Sequence, residues 1–128
     1  MTTAITNGIK VSIETHFQED YSDVKESHFV FTYRVLIENM SDYTVQLISR
    51  KWHVCNAFGF REKIEGDGVV GKQPILEPGE KHQYVSGCNL QTEIGKMSGS
   101  YIMERLLDGS NIEVEIPEFV LSTPYRLN

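Results

Sequence analysis

A glycine-rich run in the middle of the chain has the spacing of a phosphate-binding motif. Gly66, Gly68 and Gly71 form a GxGxxG pattern. In dinucleotide-binding proteins this pattern joins a strand to a helix whose N-terminal N–H groups bind a pyrophosphate. Here Pro74 and the pair Pro78-Gly79 follow the run, and prolines so close together prevent a continuous helix. The run is therefore predicted to be a loop, and a dinucleotide-binding fold is excluded.

Two interpretations of this loop remain open. Gly66, Gly68 and Gly71 could bind an anion through consecutive backbone N–H groups without a helix, or contact a partner. Alternatively, the glycines supply positive φ angles or close backbone approach in a connection between two sheets. The second interpretation is favoured because Glu65 and Asp67 flank Gly66 and would repel an incoming polyphosphate.

Residue types that bind metals are present but sparse. Glu65 and Asp67 offer oxygens to a hard cation, yet a dedicated calcium site needs about six to eight oxygen ligands. His53 and Cys55 would share one face of a strand, whereas a zinc site needs about three or four ligands. The remaining histidines are scattered along the chain: His16, His28 and His82. We therefore predict no metal site and no cofactor.

Nucleophilic side chains occur in two short segments, 86–88 and 98–100, which read Ser-Gly-Cys and Ser-Gly-Ser. Neither forms the GxSxG elbow of a serine hydrolase, in which the nucleophile sits on a sharp turn between strand and helix. Serines on strands face solvent more often than they act as nucleophiles. No catalytic residue is predicted, and the sequence favours a protein that is not an enzyme.

The elements that would position all these residues are strands. Apolar and polar residues alternate over residues 9–14, which predicts a half-buried strand. Over residues 28–39 the odd positions from 29 to 37 are all apolar, which indicates the central strand of a sheet. Over residues 44–56 the apolar phase slips by one near Ser49-Arg50, and a β-bulge there would explain the slip.

Turn residues separate the later strands. Glu77-Pro78-Gly79-Glu80 places Pro and Gly at the two central positions of a type II turn. Asp108-Gly109 lies between the strand patterns 97–107 and 111–121, which predicts a hairpin. Pro117 interrupts the second of these patterns, so it marks an edge or a bulge. We count about seven strands and no amphipathic helix, the pattern of an all-β sandwich.

Length, charge and cysteine content limit the class of protein. The chain has 128 residues, enough for one domain that buries roughly two-thirds of its unfolded surface. Its net charge of −6 disfavours binding to nucleic acid or to an anionic membrane. Cys55 and Cys88 lie far apart, and the N-terminal residues lack the pattern of a signal peptide. These features predict a cytoplasmic protein with reduced thiols, in which Trp52 and Tyr101 belong to the core.

Many ordered segments at matching spacing give the chain a family resemblance. They are Phe29–Tyr33, Ile37–Asn39, Gln46–Trp52, Gly66–Pro74, Leu76–Glu80, Tyr84–Gly87, Met97–Tyr101 and Ile116–Phe119. In these segments the chain resembles the bacterial ApaG family, and the likeness covers nearly everything from Ile9 to Leu121. In that family the glycine loop usually carries Glu where this chain has Asp67.

The resemblance implies a fibronectin type III or immunoglobulin-like sandwich over a single domain, residues 1–128. Bacterial ApaG proteins are associated with cobalt resistance and magnesium efflux, and similar domains in eukaryotic F-box and DNA-polymerase-interacting proteins serve protein binding. By analogy, this chain is expected to be a non-enzymatic module that binds a protein partner.

The best candidate contact is the glycine loop formed by Gly66, Gly68 and Gly71, with rim charges at Arg50, Lys51 and Lys72. The edges of a sandwich also allow a homodimer by strand pairing. The alternative function is a protein that binds a nucleotide or pyrophosphate through the same loop, with Mg²⁺.

Overall fold

The chain is built almost entirely of strands. The structure, a computed structural model, describes residues 1–124. Its nine strands are β1 (Thr2–Thr6), β2 (Ile9–Phe17), β3 (Phe29–Asn39), β4 (Val45–Asn56), β5 (Arg61–Asp67), β6 (Ile75–Leu76), β7 (Lys81–Leu90), β8 (Ile94–Arg105) and β9 (Asn111–Ser122). One 3-10 turn, Glu19–Tyr21, lies in the acidic loop between β2 and β3. Across residues 1–124, no helical segment has the length and apolarity needed to cross a membrane.

The strands form two antiparallel sheets packed face to face. One sheet has the order β1-β2-β3-β7, and the other has the order β5-β4-β8-β9 with β6 also paired to β4. This confirms the predicted all-β sandwich. Nine strands replace the seven or so expected, because β1, β5 and the two-residue β6 carry no long apolar alternation of their own.

The core lies between the two inner faces. The odd residues of β3 from Phe29 to Ile37 are all buried, which confirms β3 as a central strand. Trp52 is only 3% exposed, and Tyr101 is fully buried. The Trp52 ring meets that of Phe119 edge-on at 90°, with centroids 5.9 Å apart. Aromatic contacts of this geometry stabilise beyond the area that they bury.

Two bulges keep apolar side chains on the inner face. The pairing of β4 with β8 shifts between Leu47 and Ser49, as the slip in the apolar phase predicted. The pairing of β8 with β9 shifts between Met97 and Gly99, opposite Pro117. Since β9 ends its sheet, Pro117 lies both on an edge strand and at a bulge.

The two predicted turns are present. Gly79 has φ of +87°, and the Glu80 N–H donates to the Glu77 carbonyl at 2.9 Å, as a type II turn requires. Asp108-Gly109 belongs to the β8–β9 hairpin, whose connection spans residues 106–110. Its length exceeds the two residues of the tightest hairpins because Gly109 alone has a positive φ there.

One side of the sandwich is closed and the other is open. Strand β9 packs against β1 and β2, and the Glu115 N–H donates to the Thr6 hydroxyl at 3.2 Å. On the opposite side, the edge strands β5 and β7 flank a cleft of about 390 Å³. Tyr33, Arg50 and Trp52 lie in this cleft. The glycine run begins on β5 and therefore starts at this open side.

Candidate functional site

The glycine run ends β5 and then forms a tight hairpin. The Val69 N–H donates to the Lys72 carbonyl at 2.8 Å, and the Lys72 N–H donates back at 3.0 Å. Between them, Val70 and Gly71 have φ of +48° and +76°, as both central residues of a type I′ turn require. No helix follows, as predicted. The run joins β5 to β6, which pair with the same strand, so it does not cross directly between the sheets as we expected.

Each glycine of the run has a backbone or steric reason to be glycine. Gly68 has φ of +62°, and a Cβ placed on it would lie 2.2 Å from the Lys72 carbonyl oxygen. Gly71 needs only its positive φ, since nothing lies within 4 Å of an added Cβ. Gly66 has no positive φ, but its Cβ would lie 2.9 Å from two nitrogens of the Arg50 guanidinium. Positive φ and close approach both occur, as the favoured interpretation proposed.

Arg50 holds the glycine run against β4. Its Nη1 donates to the carbonyls of Asp67 and Gly68, each at 2.9 Å. Because Arg50 follows the bulge, it shares the inward phase of Trp52 and extends into the open side of the sandwich. Arg50 thus makes hydrogen bonds within the chain, and its role as a rim charge stays a prediction. Lys72 is exposed, and Lys51 lies on the outer face of the sheet.

The N–H groups that would bind an anion in this loop are largely engaged. The Gly68 N–H donates to the Ile48 carbonyl at 2.8 Å, and those of Val69 and Lys72 close the hairpin. A phosphate would have to compete with these bonds, and buried or semi-buried N–H groups are rarely left without a partner. The geometry explains the loop without an anion.

A second hairpin carries two highly exposed aromatic side chains. Phe58 and Phe60, between β4 and β5, are 76% and 72% exposed. The Asn56 side chain accepts hydrogen bonds from the N–H groups of Phe58 and Phe60, at 2.9 and 3.1 Å. Gly59, with φ of +85°, completes the turn. We did not predict this feature, although two phenylalanines around a glycine between strands could have indicated it.

Comparison with known proteins identifies the family. The profile of the ApaG domain matches residues 19–105, a range that contains both hairpins. Protein ApaG of Brucella abortus is 47% identical over 124 residues, which cover 97% of this chain and 95% of that protein. The chain belongs to the ApaG family.

Other ApaG relatives agree in sequence and in fold. Protein ApaG of Brucella anthropi is 49% identical over 121 residues, covering 94% of this chain and 92% of that protein. A crystal structure of a Bordetella pertussis protein named ApaA superposes with a TM-score of 0.88 at 39% identity. The superposition covers 91% of this chain and 94% of that one. The resemblance inferred from the ordered segments is therefore confirmed.

The thiol in the open cleft of this ApaG domain is not activated. Burial, together with the nearby carboxylate of Glu62, raises the pKa of Cys88 to about 11. A thiol with such a pKa stays protonated at neutral pH, and the thiolate is the nucleophilic form. Cys88 is therefore a poor nucleophile.

The other candidate groups do not form a chemical site. His53 and Cys55 share the outer face of β4, as predicted, but the residues paired with them on β8 are Ser98 and Lys96. Within residues 1–124, no three side chains of His, Cys, Asp or Glu come together as a group that could hold a metal ion. Both cysteines are free thiols.

The two reasons for glycine in the loop, a positive φ and a close backbone contact, can be separated by mutation. Gly68→Ala is expected to lower the free energy of unfolding by about 2 kcal/mol, since it adds a contact with the Lys72 carbonyl to the unfavourable φ. Gly71→Ala should lower it by about 1 kcal/mol, because only the φ is unfavourable. Urea unfolding of both variants measures the difference, and equal losses would contradict the assignment.

Proposed function

We propose that this ApaG domain is a non-enzymatic module that binds a protein partner through the Phe58–Phe60 hairpin. The observation that carries the proposal is the exposure of both rings, 76% and 72%, on a turn that Asn56 holds in one conformation. Large aromatic side chains bury about 150–250 Å² each and dominate the energetics of interfaces. Two such rings exposed on one turn favour an interaction site.

The rigidity of the hairpin supports this proposal. The Asn56 N–H donates to the Phe60 carbonyl at 3.1 Å, and the Gly59 N–H donates to the Asn56 carbonyl at 3.1 Å. These bonds add to the two accepted by the Asn56 side chain. Binding therefore requires little ordering of the backbone, and preorganisation of this kind raises affinity.

A groove beside the hairpin supplies both apolar surface and charge. It has a volume of about 380 Å³, and Val54, Phe60 and Leu90 lie in it with Arg61 and Glu62. Protein interfaces combine a desolvated apolar centre with a polar rim in this way. The partner expected here presents an apolar side chain to the groove and hydrogen-bonding groups to its edge.

The expected result is that Phe58→Ser with Phe60→Ser weakens partner binding by about 30-fold or more, the range of hot-spot aromatics. Partners captured from native extract by the wild type would be identified and purified, and their affinity measured by calorimetry. Leu107→Ser is the matched control, since Leu107 is 84% exposed in the β8–β9 turn. Binding that survives the double substitution would overturn the proposal, provided that the melting temperature is unchanged.

We place this interaction in the cytoplasm and relate it to cation handling through the partner. The family association with cobalt resistance and magnesium efflux then reflects what the partner does. The alternative, nucleotide or pyrophosphate binding at Gly66, Gly68 and Gly71, is less well supported because the N–H groups of Gly68, Val69 and Lys72 already donate within the protein.

A further inference from the structure

The sequence of the free edge strand β5 is complementary to itself. It reads Arg61-Glu62-Lys63-Ile64-Glu65-Gly66-Asp67. If a second copy runs antiparallel with a two-fold axis at Ile64, Lys63 faces Glu65 and Arg61 faces Asp67. Both pairs occur twice by symmetry, and opposite charges directly across a strand pair stabilise it.

We propose that two copies of this chain associate by antiparallel pairing of their β5 strands about Ile64. A two-fold interface needs a surface that matches itself, and β5 meets that condition in its charges. The inference goes beyond the proposed function and does not depend on the phenylalanine hairpin.

The backbone of β5 has the hydrogen-bonding alternation that this register requires. The Phe60 carbonyl accepts from the Asn56 N–H, and the Gly68 N–H donates to the Ile48 carbonyl. In an antiparallel ladder, bonded residues alternate with unbonded ones, so the even residues of β5 bond to β4. The odd residues direct their N–H and C=O groups to the free edge. In the proposed register odd residues pair with odd residues, so these groups meet.

The side chains fit the same register on both faces. On the outer face, Arg61 and Asp67 each have no ion-pair partner among residues 1–124, and Lys63 lies 3.0 Å from Glu65 of its own strand. A second copy supplies Arg61 with Asp67 and gives Lys63 another carboxylate. On the inner face, Ile64 is 38% exposed and would be covered by its own counterpart.

Arg50 adds a further contact across the axis. The register places Glu62 of one copy opposite Gly66 of the other. The Arg50 guanidinium occupies the space beside Gly66, 2.9 Å from where a Cβ would lie. Within residues 1–124, neither Arg50 nor Glu62 has an ion pair. Between copies, Glu62 would meet Arg50.

The other edge of the open side lacks this complementarity. Of the residue types Lys, Arg, Asp and Glu, strand β7 contains Lys81 alone. An antiparallel β7 pair would therefore gain no opposite charges. Pairing through β5 also places the phenylalanine hairpin of one copy at the same end as the Val69–Lys72 hairpin of the other. The dimer would thus present both loops together.

Sedimentation equilibrium of charge variants tests the register. We expect a wild-type dimer, and Lys63→Glu should raise its dissociation constant about tenfold, because it places like charges opposite each other twice. The swap Lys63→Glu with Glu65→Lys restores opposite charges and should restore the wild-type constant. A wild-type chain that stays monomeric up to about millimolar concentration, or a swap variant as weak as Lys63→Glu, would overturn the proposal.

A cysteine placed on the axis gives an independent test. Ile64 would face itself in a non-hydrogen-bonded pair, where Cα atoms lie about 4.5 Å apart, within the range of a disulfide. Ile64→Cys, in a background with Cys55→Ser and Cys88→Ser, should form a covalent dimer on mild oxidation. Val85→Cys on β7 is the matched control, 55% exposed on the other edge. Equal cross-linking of the two variants would contradict the β5 interface.

Discussion

Replacing Gly99 with alanine is expected to lower the free energy of unfolding by about 4 kcal/mol, a large share of the roughly 5–15 kcal/mol that keeps a domain folded. A Cβ on Gly99 would lie 2.0 Å from the Lys51 carbonyl oxygen and 3.2 Å from the Trp52 Cα. Both are backbone atoms of β4, the strand at the centre of its sheet, so neither can move without disturbing the ladder. The substitution would force β4 and β8 apart beside the main aromatic cluster.

Gly87→Ala is the control for this prediction. Gly87 also lies within a strand, but its added Cβ would come no closer than 3.5 Å, to the Phe31 carbonyl. Its φ is not positive, so alanine fits and reduces the entropy of the unfolded chain. Urea unfolding should show a change within about 1 kcal/mol for Gly87→Ala. If Gly99→Ala lost no more stability than Gly87→Ala, β8 would have room for a Cβ at position 99, and the prediction would be wrong.

The parts of the fold that sequence predicted are those in which one face is buried. Strand β3 is predictable because its buried odd residues must be apolar. The bulge near Ser49-Arg50 is predictable because an inserted residue changes the phase of the apolar positions. The type II turn at 77–80 was predictable because Pro and Gly restrict φ locally. For the strand and the bulge, the burial of one face determines the apolar pattern. For the turn, the φ restrictions of Pro and Gly are sufficient.

The parts that sequence did not predict depend on neighbours. Strand β5 is exposed on both faces, so its polar sequence carries no alternation, and β4 alone defines it as a strand. The hydrogen bonds that Arg50 donates to backbone carbonyls depend on the bulge, which turns this charged side chain inward. Phe58 and Phe60 depart from the tendency of large apolar residues to be buried, and only their position around a glycine between two strands could have indicated their exposure.

A pair of tyrosines inside the sandwich is expected to make the domain sensitive to alkali. The hydroxyls of Tyr84 and Tyr101 share a hydrogen bond across the two sheets. Burial is the main reason why the pKa of each phenol is raised above its ordinary value of 10. Tyr84 raises the pKa of Tyr101 further, whereas the hydrogen bond with Tyr101 lowers that of Tyr84 in part. Both remain neutral in the folded protein at pH values where an unfolded chain would release their protons.

The sign of the effect follows from these raised pKa values. Their contribution to stability is fully present below pH 10, the pKa of an unfolded tyrosine, and is lost as the pH rises above it. Above pH 10, each phenol should remove about 1.4 kcal/mol of stability per pH unit. Urea unfolding from pH 8 upward should therefore show a plateau followed by a steep fall, with the tyrosinate absorbance of the buried phenols appearing only as the protein unfolds.

The double variant Tyr84→Phe with Tyr101→Phe separates these phenols from other alkaline effects. It removes both hydroxyls together, which leaves no buried polar group without a partner and should change stability little at neutral pH. Its alkaline fall should be shallower, since among residues 1–124 Tyr33 is then the remaining phenol whose pKa burial raises. Tyr101→Phe alone should be less stable at neutral pH, because it removes the partner of the Tyr84 hydroxyl. A double variant that loses stability as steeply as the wild type would show that the buried pair does not control alkaline unfolding.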